Sequence, residues 1–274
     1  MQTLTSISEI SKVFQTSGSK PVLVMTEDLE NYVCKYANGI PSNKLLIEYL
    51  GYAFSKQWEL QIPEAAFVNI LPEHVPAHIL NGVIQGNFFH VPTLGSKFHE
   101  GLKEIDSTLI ASWKSKKSQI KKISNKADFL KIGLFDIWLS NEDRVQNNPN
   151  LMLKALPNGK QIIVIDHEKC FNSGIIDLNR PIYQINEADS ILCTDILPLF
   201  YPKSTELDAI AVQLLNDFPH FVSACQEELV EILELIPAEW SINNQVIENY
   251  LNNTIFGENW IAECRENFLH FINL

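Results

Sequence analysis

The chain has 274 residues, 46% of them hydrophobic and 20% charged, which suits a soluble globular protein with one two-lobed domain or two small ones. Its 21 basic and 33 acidic residues leave a net charge of -12, a field that repels phosphate backbones and anionic lipid surfaces. Bulk nucleic-acid binding and membrane-surface binding are therefore disfavoured as main functions, while a local basic site for a nucleotide stays open.

In chain order, residues 1–15 are weakly amphipathic and predict a short helix or strand, followed by the turn signal Ser17-Gly18-Ser19-Lys20-Pro21. Val22–Met25 and Tyr32–Tyr36 then read as a hairpin around a polar turn. Leu45, Leu46, Tyr49, Leu50, Ala53, Phe54 and Trp58 recur at helical spacing, which predicts an amphipathic helix over 42–58 with Ser42 as its N-cap. A strand is expected at 65–70, a short helix at 73–83 and a strand at 87–91. The cluster Thr93-Leu94-Gly95-Ser96 reads as a break between lobes.

Beyond it, six lysines between Lys114 and Lys126 read either as a site for an acidic substrate or as a solvated face, and the second is favoured. Residues 127–139 form a strongly apolar helix that runs into the polar loop 140–150. Strands at 151–153 and 162–165 flank the turn Leu156-Pro157-Asn158-Gly159. The rest reads as amphipathic helices at 207–215, 222–235, 244–251 and 260–271.

The five cysteines (34, 170, 193, 225 and 264) are widely spaced and form no CxxC pair, which argues against a disulfide framework or a structural zinc site. No apolar run approaches the ~20 residues of a membrane helix, and the first residues lack a signal-peptide pattern, so a cytoplasmic location is expected. The sequence contains no H-E-x-x-H, G-x-S-x-G, G-x-G-x-x-G or G-x4-G-K-[ST] motif.

The chemistry-bearing stretch is Asn141 to Asp166. Asp143 is followed five residues later by Asn148, and Asp166 ends the next hairpin. Phosphoryl transfer needs a carboxylate to orient the attacking hydroxyl, and an amide and a second carboxylate to hold a metal against the phosphates. Hard oxygen donors of this kind suit Mg²⁺. An Asx-rich surface turn would show the same spacing, and the two readings stand level on spacing alone. Upstream, Lys35 interrupts an apolar strand and Glu48 lies on the following helix, an arrangement that can clamp a phosphate-binding cation or leave a solvent-facing Lys. Gly18 and Ser19 lie in a loop whose backbone N–H groups can cover phosphates or simply turn the chain.

Asn141-Glu142-Asp143-Arg144, Asn148-Pro149-Asn150-Leu151 and Ile165-Asp166-His167 together resemble the HipA-like kinases, atypical Ser/Thr kinases, and more distantly the phosphatidylinositol kinases. The likeness extends over about 18–270, with Pro21–Val24 and Tyr32–Lys35 as the nucleotide-lysine hairpin, Glu48 on the next helix and Phe89–Ser96 as the hinge region.

The resemblance implies an α+β, two-lobed kinase-like fold, with a sheet-rich lobe at 1–93, a mainly helical lobe at 94–274 and ATP between them. It implies Asp143 as catalytic base, Asn148 and Asp166 as Mg²⁺ ligands, Lys35 on the phosphates, and His167 either orienting Asp166 or packing below it, with a satisfied core histidine as the plain alternative. Asn150 competes with Asn148 for the amide role. The implied reaction is transfer of the ATP γ-phosphoryl group to a hydroxyl, in the first place a protein Ser or Thr. The alternatives are a nucleotide-binding regulatory module and a small-molecule or lipid kinase. An antitoxin-like partner is the weakest implication, because the extra N-terminal subdomain of full-length HipA toxins has no counterpart in the sequence.

Overall fold

The computed structural model describes residues 1–16, 18–80, 83–174, 176 and 180–273. The predicted hairpin forms from β3 (Val22–Met25) and β4 (Asn31–Lys35), antiparallel with Val22 opposite Cys34 and Met25 opposite Asn31. The weakly amphipathic N-terminus supplies two short strands, β1 (Thr3–Thr5) and β2 (Lys12–Val13). With β5 (Ala65–Asn69) and β6 (Thr93–Lys97) they make a six-stranded sheet of order β1-β5-β6-β4-β3-β2.

Strand β6 corrects three sequence readings. The segment 93–96 is neither a break nor a hinge but a central strand, bonded to β4 on one side and β5 on the other. Gly95 is required there: a Cβ at that position would come within 2.9 Å of the Val68 side chain and 3.1 Å of Cys34 Sγ. The sheet-rich lobe therefore reaches at least Lys97, past the predicted boundary at 93/94. The strand expected at 87–91 is a 3-10 turn over Gly86–Phe89, and the helix expected at 73–83 is two 3-10 turns, Pro72–His74 and Ala77–Ile79. Pro72 and Pro76 explain the second change: each lacks an N–H, and each holds the residue before it out of the helical region.

Helix α1 (Asn43–Gln57) is buried on both flanks, because Leu45, Leu46, Ile47, Leu50 and Phe54 are all at most 2% exposed. The expected Ser42 cap does not form. Its hydroxyl donates instead to the Gly39 carbonyl at 3.3 Å. One face of α1 covers the sheet and the other enters the second lobe. There Trp58 stacks on Trp138 and Phe221 with centroids 5.4 and 5.1 Å away. The Tyr49 hydroxyl donates to the Ile232 carbonyl at 2.7 Å, and Trp240 Nε1 donates to the Pro92 carbonyl at 2.7 Å. The main core thus runs unbroken from α1 into the C-terminal helices, while a smaller cluster around Val22, Val24 and Val68 fills the far side of the sheet.

The second lobe begins with α2 (Ser107–Ser115), capped by the Asp106 carboxylate on the Leu109 N–H at 2.7 Å. Helix α3 (Asp128–Trp138) matches the predicted apolar helix and delivers the polar loop. A second sheet, β7 (Lys103–Glu104), β8 (Leu151–Leu156) and β9 (Gly159–Val164), contains the predicted hairpin, with both strands three residues longer toward the turn so that Leu156 pairs with Gly159. The helices expected at 207–215 and 222–235 divide differently: one helix, Ser204–Glu227, runs through Pro219, and a short one covers Leu229–Glu234. In the lysine-rich stretch, Lys114 pairs with Asp195 at 2.7 Å and Lys126 with Glu206 at 2.5 Å, as a solvated face would. No described helix is long and apolar enough to cross a membrane.

Candidate active site

Lys35 ends β4 where the sheet meets α1. Its ammonium lies 2.7 Å from Asp166 Oδ1, 3.0 Å from Glu48 Oε2 and 3.7 Å from Glu168 Oε2. Carboxylates from α1 and from the segment after β9, 118 and more residues apart, therefore meet on one cation. Burial alone would lower the lysine's pKa, but Glu48, Asp166 and Glu168 outweigh it and hold the group charged. Burial pushes Glu48 upward against the pull of Lys35. For Asp166 burial also acts upward, yet the Lys35 ammonium prevails and holds it below the usual carboxylate range. Glu48 Oε2 further accepts the His167 N–H at 2.7 Å, so one carboxylate fixes both the lysine and the backbone next to Asp166.

The polar loop is folded around Asp143. Asn148 Nδ2 and Asn150 Nδ2 both donate to its Oδ2, at 2.9 and 3.2 Å. Among the described residues no donor reaches Asp143 Oδ1 or Asp166 Oδ2, and no donor reaches either amide oxygen. A tight turn closes the loop, with reciprocal backbone bonds of 3.1 Å between Val145 and Asn148.

Beneath this surface sits a pair that the sequence reading did not single out. Arg144 is fully buried, and its Nε donates to Asp136 Oδ2 at 2.8 Å. Its Nη1 donates to the carbonyls of Asn150 at 2.7 Å, Ile165 at 3.1 Å and Pro149 at 3.3 Å, while Nη2 donates to the Asp166 carbonyl at 3.3 Å. One guanidinium thus ties the end of the loop to the end of the hairpin. Asn141 completes the group by donating to Asp136 Oδ1 at 2.8 Å and accepting the Asp143 N–H at 3.3 Å. The available signal was Asp136, a charge inside an otherwise apolar helix, which requires a partner. Glu168 was also missed, because nothing in its local sequence separates it from a surface glutamate.

Three non-glycine residues here adopt left-handed backbone: Ser140 (φ 48), Asn150 (φ 49) and Asp166 (φ 61). Conformations of this kind cost of order 1 kcal/mol or more and persist where the surroundings over-determine them. The Arg144 bonds and the Ile165 N–H to Asn150 carbonyl bond at 3.1 Å supply that constraint. After Asp166, Phe171, Asn172 and Ser173 form a left-handed turn. Asn172 exchanges hydrogen bonds with the Tyr183 backbone at 3.0 Å in each direction.

His167 is 3% exposed, with Nε2 3.1 Å from the Ser55 hydroxyl and the ring edge-on to Phe135. Gly51 makes room for it, since a Cβ there would lie 2.3 Å from His167 Cβ. It therefore packs below Asp166. Burial, reinforced by Arg144, pushes its pKa down to about 3. Because the unfolded chain binds this proton near pH ~6.5, stability is expected to fall as pH drops from there toward 3, by up to ~1.4 kcal/mol per pH unit. Urea unfolding of wild type and His167→Gln between pH 7.5 and 5.5 checks this. The wild type should show the steeper loss, and equal slopes would refute a buried neutral imidazole.

Of the remaining predicted residues, Gly18 lies against the cluster, since a Cβ there would come 3.2 Å from Glu168 Oε1. Ser19 turns the loop by accepting the Thr16 hydroxyl on its carbonyl, with no side-chain bond to the cluster. Ser17 lies outside the described residues.

Comparison with known proteins supplies the family. A family model for HipA-like kinases matches residues 7–183. No curated protein gives a significant sequence match. Among solved structures, the Helicobacter pylori proinflammatory kinase CtkA has a TM-score of 0.57 at 14% identity, with 98% of each chain covered. The Golgi casein kinase with Mn/ADP bound has a TM-score of 0.45 at 12% identity, covering 96% of this chain and 74% of that one. HipA of Shewanella oneidensis MR-1, in complex with HipB and operator DNA, has a TM-score of 0.45 at 10% identity, covering 93% and 68%. The CtkA likeness establishes a two-lobed kinase fold, and residues 7–183 span well over half of the chain and include every predicted site residue, so this protein belongs to the HipA-like kinase family.

Proposed function

We propose that this protein transfers the γ-phosphoryl group of ATP, with Mg²⁺, to a protein Ser or Thr hydroxyl. The observation that carries this reading is the Lys35 ammonium held between Glu48 and Asp166, on the same framework as an Asp143 carboxylate with one oxygen open.

The residues fit the absent groups. Among the described residues no three His, Cys, Asp or Glu side chains form a closed metal cage. The donors at the loop are instead carboxylate and amide oxygens, the hard set from which Mg²⁺ takes one or two protein ligands beside substrate phosphates. Asp166 Oδ2 and the Asn148 amide oxygen would hold the metal. Asn148 is the better placed of the two amides, because it is half-buried whereas Asn150 is only 9% exposed, its backbone carbonyl held by Arg144 and the Ile165 N–H. When bound, Mg²⁺ would neutralise charge across the β- and γ-phosphates.

The chain's own groups then act by position. Lys35 donates to phosphate oxygens, and Glu48 keeps it aimed. Asp143, oriented by the two amide N–H groups on Oδ2, accepts the hydroxyl proton at Oδ1. Gly18 lets the loop approach the cluster without a side chain in the way. A protein acceptor is supported by an open groove of about 880 Å³ lined by Pro181, Ile182, Asn249, Asn253 and Trp260. It adjoins Tyr183, whose carbonyl accepts the Ser140 hydroxyl at 2.8 Å, three residues before Asp143. A phosphoinositide surface is disfavoured by the net charge of -12.

Thermal unfolding with and without Mg-ATP tests the site. At ~100 times its Kd the nucleotide should stabilise the wild type by roughly 2.7 kcal/mol, and Asp166→Ala should lose that gain. No gain in wild type over millimolar Mg-ATP would sink the proposal.

A further inference from the structure

A cavity of about 310 Å³ lies outside the site just described, between β2 with the loop that follows it and the 3-10 turn Ala77–Ile79. Its floor is apolar: Ile10, Ile79 and Ile84 are 5%, 7% and 1% exposed. Among the described residues its ionisable lining groups are Lys12, Lys20 and His78, with no carboxylate. That runs against the composition, since acidic residues outnumber basic ones 33 to 21 in this chain. None of the three forms an ion pair with a described residue. Lys12 instead lies over the Phe14 ring, 4.6 Å from its centroid. Gln15 adds an amide to the lining.

Lys12 and Lys20 stand on the two legs of the loop that carries Gly18, and the Phe14 N–H to Pro21 carbonyl bond at 2.9 Å closes its base. We infer that this cavity is a binding site for a small organic anion, with a phosphate or carboxylate head between Lys12, Lys20 and His78 and a compact apolar body over Ile10, Ile79 and Ile84. The volume is at the small end of ligand pockets, which run from ~300 to 1,000 Å³. It suits a body of about one ring and disfavours a nucleoside triphosphate. Burial of the body supplies contact, and the like-charged wall supplies selection for a negative head.

Phenyl phosphate is a suitable probe, titrated calorimetrically into the full chain without nucleotide, with phenol as the uncharged control. Wild type should bind phenyl phosphate and not phenol. Lys12→Ala combined with Lys20→Ala should weaken binding at least tenfold, and since Lys12 is exposed and Lys20 only half-buried the variant should fold. Lys35→Met, which keeps the aliphatic stem in the other site, should bind as wild type does. No heat with wild type at millimolar probe, unchanged affinity in the Lys12/Lys20 variant, or loss of binding confined to Lys35→Met would each overturn the inference. The last outcome would mean that the anion had entered the Lys35 cleft. The measurement uses no nucleotide, so it stands or falls separately from the proposed phosphotransfer.

Discussion

Asp143→Ala is expected to slow phosphoryl transfer by ~10²- to 10⁴-fold, the usual contribution of a positioned general base, while leaving Mg-ATP protection against unfolding nearly unchanged. The separation follows from the hydrogen bonds. Asp143 is held by Asn148 and Asn150, whereas Lys35 is held by Glu48, Asp166 and Glu168. Removing the first carboxylate leaves the second cluster intact. Single-turnover transfer to a generic protein acceptor, read beside thermal unfolding of the same sample, gives both halves. Equal transfer by wild type and variant would remove Asp143 from the chemistry. Loss of nucleotide protection in the variant would mean that Asp143 holds the metal, and the roles of the two aspartates would have to be redrawn.

The largest stability effect is expected at Arg144. Arg144→Leu should cost about 3–5 kcal/mol in chemical denaturation, the range for breaking one side of a buried ion pair. Asp136, itself fully buried, would keep only the Asn141 amide, and the carbonyls of Pro149, Asn150, Ile165 and Asp166 would lose their common donor. Adding Asp136→Leu removes the stranded charge, so the double variant should be less destabilised than the sum of the two single ones. A loss under ~1 kcal/mol for Arg144→Leu would show that solvent or a rearranged loop replaces the guanidinium, against the range expected for a buried pair.

Legibility in the sequence followed the range of the interactions. The hairpin β3–β4, the helix α1 and the helix α3 were readable because local apolar periodicity reports burial directly. Strand β6 was not: Thr93-Leu94-Gly95-Ser96 has the composition of a turn, and only its two neighbours, β4 and β5, make it a strand. The structure brings Lys35, Glu48 and Asp166 together, and Asp143, Asn148 and Asn150 into a second group, whereas the spacing had joined Asp143 and Asn148 directly to Asp166. Glu168 and Arg144 were opaque for the same reason as β6. Their significance lies in partners 133 and more residues upstream for Glu168, and on two different segments for Arg144. The Pro219 helix shows the converse limit, since packing of Leu215, Phe218 and Val222 carries the chain through a residue that local rules read as a stop.

The left-handed residues at Ser140, Asn150 and Asp166 bear on how this protein would decay if its chemistry were no longer selected. Glycine relaxes such backbone at no steric cost, so Asp166→Gly would erase the carboxylate and ease the chain in a single step. Drift at these positions therefore has a preferred direction. Relatives that had abandoned catalysis would accumulate glycine at Asp166 while keeping Arg144 and Asp136, because breaking that buried pair costs about 3–5 kcal/mol. That combination would mark a retired copy from its sequence alone.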